Sequence, residues 1–245
     1  MMPLENKTDS TLRDKENREY TPNYPFEITT ENIKRHQSFV GIIGFNWQPG
    51  VKYIEFPDRK ISIGSRYPVF SFEFIHGFAD LFGSYADFSK WKFNIKDDIN
   101  FRLKGVLNYR VGVGGFLSNK KVELPDYNHF NGNISTLATE YLNSFQLLPI
   151  YQFSNTSKFY GLTHIEYNLK GFLTNKIPGI RKLNLYLVTG ANAFYLNKSD
   201  NYYEIFAGLD NIFKQIRVDF VQSYLNGKKW QNAFRIGLTR FGRNR

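Results

Sequence analysis

The sequence predicts an all-β protein: an antiparallel up-and-down transmembrane β-barrel, or the C-terminal part of one, with about ten long strands. Three observations lead there. Apolar residues recur with a period of two over long stretches, which is the period of a strand and not of a helix. The longest alternating stretches reach roughly thirteen residues, where soluble strands usually have about five or six. At about 3.3 Å per residue and a tilt of about 40°, such a strand projects to roughly 33 Å, enough to cross the ~25 Å apolar band of an outer-membrane barrel. Finally, aromatic residues make up 18 % of the chain, with 24 Phe and 16 Tyr. A soluble domain rarely needs so many, whereas membrane-interface girdles use them.

Composition narrows the choice. The 245 residues suffice for one large β domain, and 22 % are charged. No run approaches eighteen apolar residues, so no transmembrane helix is expected. Barrel strands hide their apolarity by alternation, so this leaves a barrel open. Cysteine is absent, which removes disulfides and thiolate chemistry. The net charge is +10, but the basic residues are scattered, without an RNA-binding signature or recognition helix. No nucleic-acid partner is expected; anionic lipid headgroups are the better match for positive charge on an envelope protein. The opening MMPLENKTDS has no apolar h-region. With an envelope location, the expectation is therefore a piece of a longer parent chain.

Taken in order, residues 1–35 are polar, carry Pro3, Pro22 and Pro25, and read as a leader or loop ahead of a barrel region at 36–245. A first strand has Phe39, Ile43, Phe45 and Trp47 on one parity and ends at Gln48-Pro49-Gly50. A second is expected over 52–63, interrupted at Pro57, and a third over 67–78, with Phe70, Phe72 and Phe74 opposite Ser71 and Glu73. Over 90–103, Trp91, Phe93, Ile95, Ile99, Phe101 and Leu103 share a face, and Asp97 is the exception among them. The strand 106–117 follows, its glycines at 112, 114 and 115 suggesting bends or close approach. Residues 118–157 form a long loop, expected to be extracellular, with LLPIYQF at 147–153 a candidate short strand inside it.

The clearest pair of strands runs from Lys158 to Leu196 around a link containing Pro178 and Gly179. In its first half His164, Glu166, Asn168 and Lys170 share one parity; in its second, Leu183, Leu185 and Leu187 begin an apolar face. The strands 202–210, 214–225 and 229–241 complete the count, the last two joined by Asn226-Gly227, a strong hairpin signal. Their apolar faces include Val218 and Phe220, then Ile236 and Leu238; opposite lie Arg217 and Asp219, then Arg235. Counting ten strands back from a periplasmic C-terminus puts the long loop outside and Trp47, Trp91 and Trp230 together at the outer rim as interface aromatics.

These parities give the candidate surfaces. Lumen-facing polar candidates are His164, Glu166, Lys170, Arg217, Asp219 and Arg235, and lipid-facing candidates are Leu183, Leu185, Leu187, Val218, Phe220, Ile236 and Leu238. A catalytic or metal role for the first group is conceivable because alternate strand positions line one surface. The plainer reading is a solvated wall with ordinary ion pairs. Asp126 and His129, with Asn128 and Asn131, lack the spacing of a calcium loop, and VGVGG has no following Lys-Ser/Thr or helix to hold phosphate. No nucleophile motif is present, and His36 and His76 have no evident partner. The expectation is no enzyme, no metal and no cofactor.

Several of these stretches resemble a known family. HFNGN at 129–133, YQF at 151–153, HIEYNLKGFLTNKIPGIRKLNL at 164–185 and YYEIFAGLDNIFKQIRVDF at 202–220 are similar to a Bacteroidetes-type outer-membrane barrel family of unknown function. YPVFSFEFIHGF at 67–78 and FGSYADFSKWKF at 82–93 fit the same pattern. The resemblance covers roughly 36–241, and NKIPGIRKL and GLDNIFKQIRVD are its most specific pieces. Full-length members often carry an N-terminal carboxypeptidase-regulatory-like domain. The family looks like a distant relative of the surface-antigen barrels, which include outer-membrane assembly factors and two-partner secretion pores with about sixteen strands. The resemblance thus implies the C-terminal part of a barrel. Those relatives carry Val-Arg-Gly-Phe/Tyr in the long loop; here Gly132-Asn133 leads into ISTLATEY, without that Arg, so insertion or secretion activity does not carry over. The end departs too, since Phe241 is followed by Gly-Arg-Asn-Arg.

The expected protein is an integral barrel of the bacterial outer membrane, a pore or an export- or assembly-related wall. Its expected partners are outer-membrane lipid, other envelope proteins, or the missing N-terminal strands of a longer parent chain. The alternatives are a soluble β-barrel binding an apolar ligand, with Leu and Phe inward, and an outer-membrane lipid-modifying enzyme.

Overall fold

The computed structural model describes residues 37–198 and 200–238. The expected leader at 1–35, His36 and the end of the last expected strand beyond Leu238 lie outside the described residues. Within them the chain is all-β, with eleven strands and only short 3-10 turns between them. In chain order the strands are β1 (Val40–Trp47), β2 (Lys52–Glu55), β3 (Lys60–Gly64), β4 (Val69–Gly77), β5 (Asp87–Asn100), β6 (Val106–Lys121), β7 (Tyr160–Asn168), β8 (Tyr186–Asn197), β9 (Asp200–Ile212), β10 (Ile216–Leu225) and β11 (Lys228–Leu238).

Nine of them form one antiparallel sheet in the order β1-β4-β5-β6-β7-β8-β9-β10-β11. Sequential neighbours pair, as a meander requires. Among the described residues no ladder joins β1 to β11. Links on one side of the sheet are tight because local chemistry makes them so. Asn226 and Gly227 both take positive φ, the type I′ requirement, and the Asn226 carboxamide accepts from the Asn201 N–H at 3.0 Å.

The expected strand at 52–63 is not a member of this sheet. It folds back on itself as the short β2–β3 hairpin, with Ile54 opposite Ile61. Pro57 cannot donate to a ladder, and Glu55 and Lys60 form an ion pair at 2.5 Å across the resulting turn. The sheet therefore has nine strands where ten were expected, and this alters the ends. Trp47 lies at the end from which the hairpin leaves. Trp91 pairs with Phe74, nearer the opposite end, and Trp230 follows the Asn226-Gly227 turn at that opposite end. The three tryptophans do not share a rim.

The central pair is also shorter than its alternation. β7 stops at Asn168, whose carboxamide accepts from the Lys170 N–H at 2.7 Å; Lys170 has φ 48° and is exposed in the turn. β8 starts only at Tyr186, so Leu183 ends a 3-10 turn and Leu185 precedes the strand. Asn184, left-handed at φ 50°, breaks the run between them, and Thr174 Oγ1 donates to the Leu185 carbonyl at 2.5 Å. Side-chain-to-backbone bonds of this kind compete with ladder pairing, and here they end it.

Residues 122–159, between β6 and β7, fold back across one face of the sheet. Phe130, Phe145 and Leu148 of this connection pack with Tyr160, Phe194 and Tyr202 of the sheet. Tyr141 and Leu147 pack with Val188, Phe206 and Val221. A third cluster, Ile75, Ala86, Phe88 and Phe116, packs near β4–β6. LLPIYQF is not a strand: Leu147 and Leu148 are core, and the residues after them form turns. The sheet thus has a covered face and a bare face.

Candidate functional site

The register sorts the sequence candidates. His164, Glu166, Arg217, Asp219 and Arg235 all lie on the covered face, and all are buried. Lys170 is the exception. On the bare face, Leu187, Leu209, Val218 and Ile236 make one row across β8 to β11, with Phe220 and Leu238 flanking it. Leu183 and Leu185 fall in the link and do not join that row. Trp47 lies on the bare face beside Phe70, rings 5.6 Å apart. Trp91, in line with Phe74, is on it too. Trp230 instead packs edge-on against Tyr202, ring centroids 5.9 Å apart, on the covered side.

The polar residues of the covered face form a seam beneath the connection. Two groups stand out. In the first, His164, Asn192 and Glu204 are direct cross-strand neighbours on β7, β8 and β9. His164 Nδ1 lies 2.9 Å from Asn192 Oδ1, and Asn192 Nδ2 donates to Glu204 Oε1 at 2.7 Å. Glu204 is 0 % exposed. It also accepts from the Gln146 and Leu147 backbone N–H groups, at 2.7 and 3.1 Å, and from Tyr202 OH at 2.8 Å. Arg235 Nε donates to the Gln146 carbonyl at 2.8 Å. The connection's backbone at Gln146 is therefore held from both sides.

In the second group, Arg217 on β10 bridges two acids. Its Nε donates to Asp219 Oδ2 at 2.7 Å, and its Nη1 donates to Glu166 Oε2 on β7 at 2.6 Å. Two glycines leave room for that reach: Gly190 pairs with Glu166, and Gly208 pairs with Asp219. A methyl at Gly208 would press on the Asp219 carboxylate, and one at Gly190 on the Phe206 ring. Tyr141, from the connection, donates to Asp219 Oδ2 at 2.8 Å and lies under the Arg217 guanidinium at 4.2 Å. Burial, then the neighbouring Asp219 carboxylate, pushes the Tyr141 hydroxyl well above its ordinary pKa, so it stays a donor.

This chemistry is that of a latch. The charged groups of the seam are bonded to one another or to the connection's backbone, His164 is bonded to Asn192, and among the described residues no serine or other nucleophile is hydrogen-bonded to His164. Two Ser–His contacts do occur elsewhere, which the sequence reading missed. His76 Nδ1 is 2.8 Å from Ser89 Oγ on the bare face, and His129 Nδ1 is 2.8 Å from Ser154 Oγ in the connection. The only signal for the first is that the two residues are cross-strand partners. A nucleophile needs its base oriented by a third group; among the described residues neither imidazole has an ion pair, and His129 turns instead to the backbone at Pro125 and Leu124. Burial holds the His129 imidazole below its ordinary pKa, favouring the neutral ring. Among the described residues no group of three His, Cys, Asp or Glu could hold a metal ion.

Beside the seam the covered face is open. A cleft of about 570 Å³ lies between β1, β4–β6 and the connection, lined among others by Asn46, Lys96, Asp98, Asn108 and Glu140. Arg110 crosses it to bond Asn143 of the connection. The other end of the connection is tied by Lys90, which donates to the Asp126 carbonyl at 2.5 Å.

Comparison with known proteins gives one match. A model of the C-terminal domain of a family of unknown function, DUF5686, matches residues 2–209. No curated protein and no solved structure matches.

Proposed function

Since the chain belongs to this family of unknown function, its role has to be argued from its surfaces, and we propose that it forms the wall of an outer-membrane β-barrel whose long connection seats inside as a plug. The observation that carries the reading is an inversion of polarity. The bare face is apolar and exposed from β1 to β11: Ile43 is 73 % exposed, Phe234 67 % and Ile236 49 %. The face turned toward the chain's own core carries Glu166, Glu204, Arg217, Asp219 and Arg235. Water-soluble domains rarely expose apolar patches of such extent, whereas a barrel wall in lipid requires one. Strand lengths support it: β5, β6, β8 and β9 have 14, 16, 12 and 13 residues. The soluble alternative calls for His164, Glu166 and Lys170 in water; Lys170 is exposed, but His164 and Glu166 are buried. The connection fills the covered face from β7 to β11, so conduction would need it to move. The resemblance to Bacteroidetes-type envelope barrels points to the same membrane.

The test is membrane partition of the chain expressed behind a signal peptide, followed by gel mobility before and after boiling. Protein that needs detergent and shifts on boiling is the expected result; monomeric protein soluble without detergent would discard the proposal. A companion variant probes the face itself. Ile236→Arg is expected to destabilise by about 2–4 kcal/mol if its position is near the midplane. An unchanged denaturation midpoint in folded, detergent-solubilised protein would argue against lipid contact there.

A further inference from the structure

A meander alternates its links between the two ends of the sheet, and here the ends differ in chemistry. The links 48–68, 101–105, 169–185 and 213–215 all lie at the end where β1 finishes. The last three carry seven lysines and arginines and no acidic residue. Among the described residues none of the seven forms an ion pair. At the other end, 78–86, 198–199 and 226–227 together carry one charge of each sign, Asp80 and Lys198, and the connection has one lysine against three acids. Each of the three basic turns also holds a large apolar side chain in the open beside its cations. Leu103, 88 % exposed, stands between Arg102 and Lys104; Phe213, 87 %, precedes Lys214; Leu183, 61 %, follows Arg181 and Lys182.

These tips are held in place by the turns that carry them. Phe213 and Lys214 fill the two central positions of a type I′ turn, with φ 49° and 65°, closed by Gln215 N–H on the Ile212 carbonyl at 3.1 Å. Asn226-Gly227 fills the same positions at the opposite end. A bulky side chain at positive φ is strained, and such strain persists at working surfaces. Asn211 Nδ2 donates to the Asn184 carbonyl at 2.7 Å, which joins this turn to the link holding Leu183. Tyr167 OH donates to the Lys104 carbonyl at 2.8 Å, and its ring packs edge-on to Phe101. The aromatic margin of the bare face thus runs into the tip at Leu103.

We propose that this end of the sheet is a seat for net-anionic phospholipid: its cations take headgroup phosphates, and the three tips sit among the headgroups at the acyl boundary. The proposal rests on the wall reading. β5 and β6 have 14 and 16 residues. At about 3.3 Å per residue and a tilt of about 40° they project to roughly 35–40 Å, past a ~30 Å hydrocarbon core, so their turn lies in the headgroup layer. Cations without counter-charges favour an anionic over a zwitterionic surface. Three separate bare tips suit a fluid layer, whereas a folded partner would need three matching pockets.

The chain has no cysteine, so one dye can be placed at Gln215→Cys, exposed in the Phe213 turn. The folded protein in neutral-detergent micelles is titrated with phosphatidylglycerol carrying a spin-labelled acyl chain, and separately with phosphatidylcholine of the same chain. Phosphatidylglycerol should half-quench the dye at a mole fraction lower by about tenfold or more. That preference should vanish in Arg102→Gln/Lys104→Gln/Arg181→Gln/Lys182→Gln/Lys214→Gln, whose positions are all exposed and outside the seam. It should survive Lys228→Gln/Lys229→Gln, which removes two exposed cations from the other end. Leu103→Ser/Leu183→Ser/Phe213→Ser should weaken quenching by both lipids and leave their ratio. Equal quenching by the two lipids overturns the proposal and leaves an acidic protein as the partner of the cations. A preference that survives the five neutralisations, or falls as far in the Lys228/Lys229 variant, is an effect of net charge alone and overturns it too. Gel mobility before and after boiling is read on the same samples. Protein without a heat-modifiable band fails the wall reading and the seat with it; a normal band with equal quenching fails the seat alone.

Discussion

Arg217→Met is expected to lower folding stability by about 3–5 kcal/mol, the largest effect of any single change to the seam. The guanidinium is the one cation bonded to both Glu166 and Asp219, and Asp219 is 0 % exposed. Methionine fills much of the same volume, so the loss is chiefly electrostatic. Two buried carboxylates would be left without a counter-charge. The cation also spans from β10 to β7 across two intervening strands, so its removal loosens the sheet over that width. The measurement is a urea or guanidinium midpoint on detergent-folded protein. A shift worth less than about 1 kcal/mol would mean that the three groups are hydrated in the folded state.

A second variant separates burial of charge from loss of contact. Glu166→Gln/Arg217→Met/Asp219→Asn removes all three charges together. Replacing a whole buried ionic group is often neutral, whereas removing one member is not. The triple variant should therefore regain much of the stability lost in Arg217→Met. The native group leaves room for this, because Arg217 Nη2 and Asp219 Oδ1 are buried without hydrogen-bond partners among the described residues. If the triple variant is less stable than the single one, the bonds themselves dominate, with Tyr141 as their outer anchor.

The two faces of the sheet were legible in the sequence because a strand has only two sides. Once Ile236 and Val218 are placed on one face, Arg235, Arg217 and Asp219 must lie on the other, and the register bears this out. Local signals decided the turns as well, Asn226-Gly227 above all. What failed were ends and distant contacts. Alternation continues through Lys170, Leu183 and Leu185, but Asn168 and Asn184 satisfy or redirect the backbone locally and cut the strands short. Period two cannot separate one long strand at 52–63 from two short ones around Pro57, and that single miscount sent Trp47 to the wrong end of the sheet. Glu204 escaped notice for a different reason. Its partners at Gln146 and Leu147 lie 58 and 57 residues away along the chain, inside a stretch with no periodicity to read. The one available signal was a lone carboxylate between Tyr202 and Phe206 on the same strand face.

That residue carries the second large effect. Glu204→Ala is expected to release the connection from the sheet. Its two oxygens accept four hydrogen bonds, from Gln146, Leu147, Asn192 and Tyr202. Each buried donor left unsatisfied costs about 1–3 kcal/mol, and two of these four belong to the connection's backbone, which cannot turn away without moving. Arg235 alone would remain on the Gln146 carbonyl. Movement of the connection is therefore the cheaper response, since in water its N–H groups are satisfied at once. Chymotrypsin reads this directly, because Tyr127, Phe130, Tyr141 and Phe145 lie in the connection and Phe130, Tyr141 and Phe145 are buried while it is seated. Cleavage between β6 and β7 should quicken by at least about tenfold, in line with a loss of 1.4 kcal/mol or more in local stability. Gel mobility of the folded sheet should change little, and conductance in planar bilayers should rise. Glu204→Gln should fall between, since its amide nitrogen turns one acceptor into a donor facing another donor. Unchanged nicking together with a large fall in the denaturation midpoint would assign Glu204 to the sheet alone, and the seam would then be a structural ladder with the connection resting on it, not a latch.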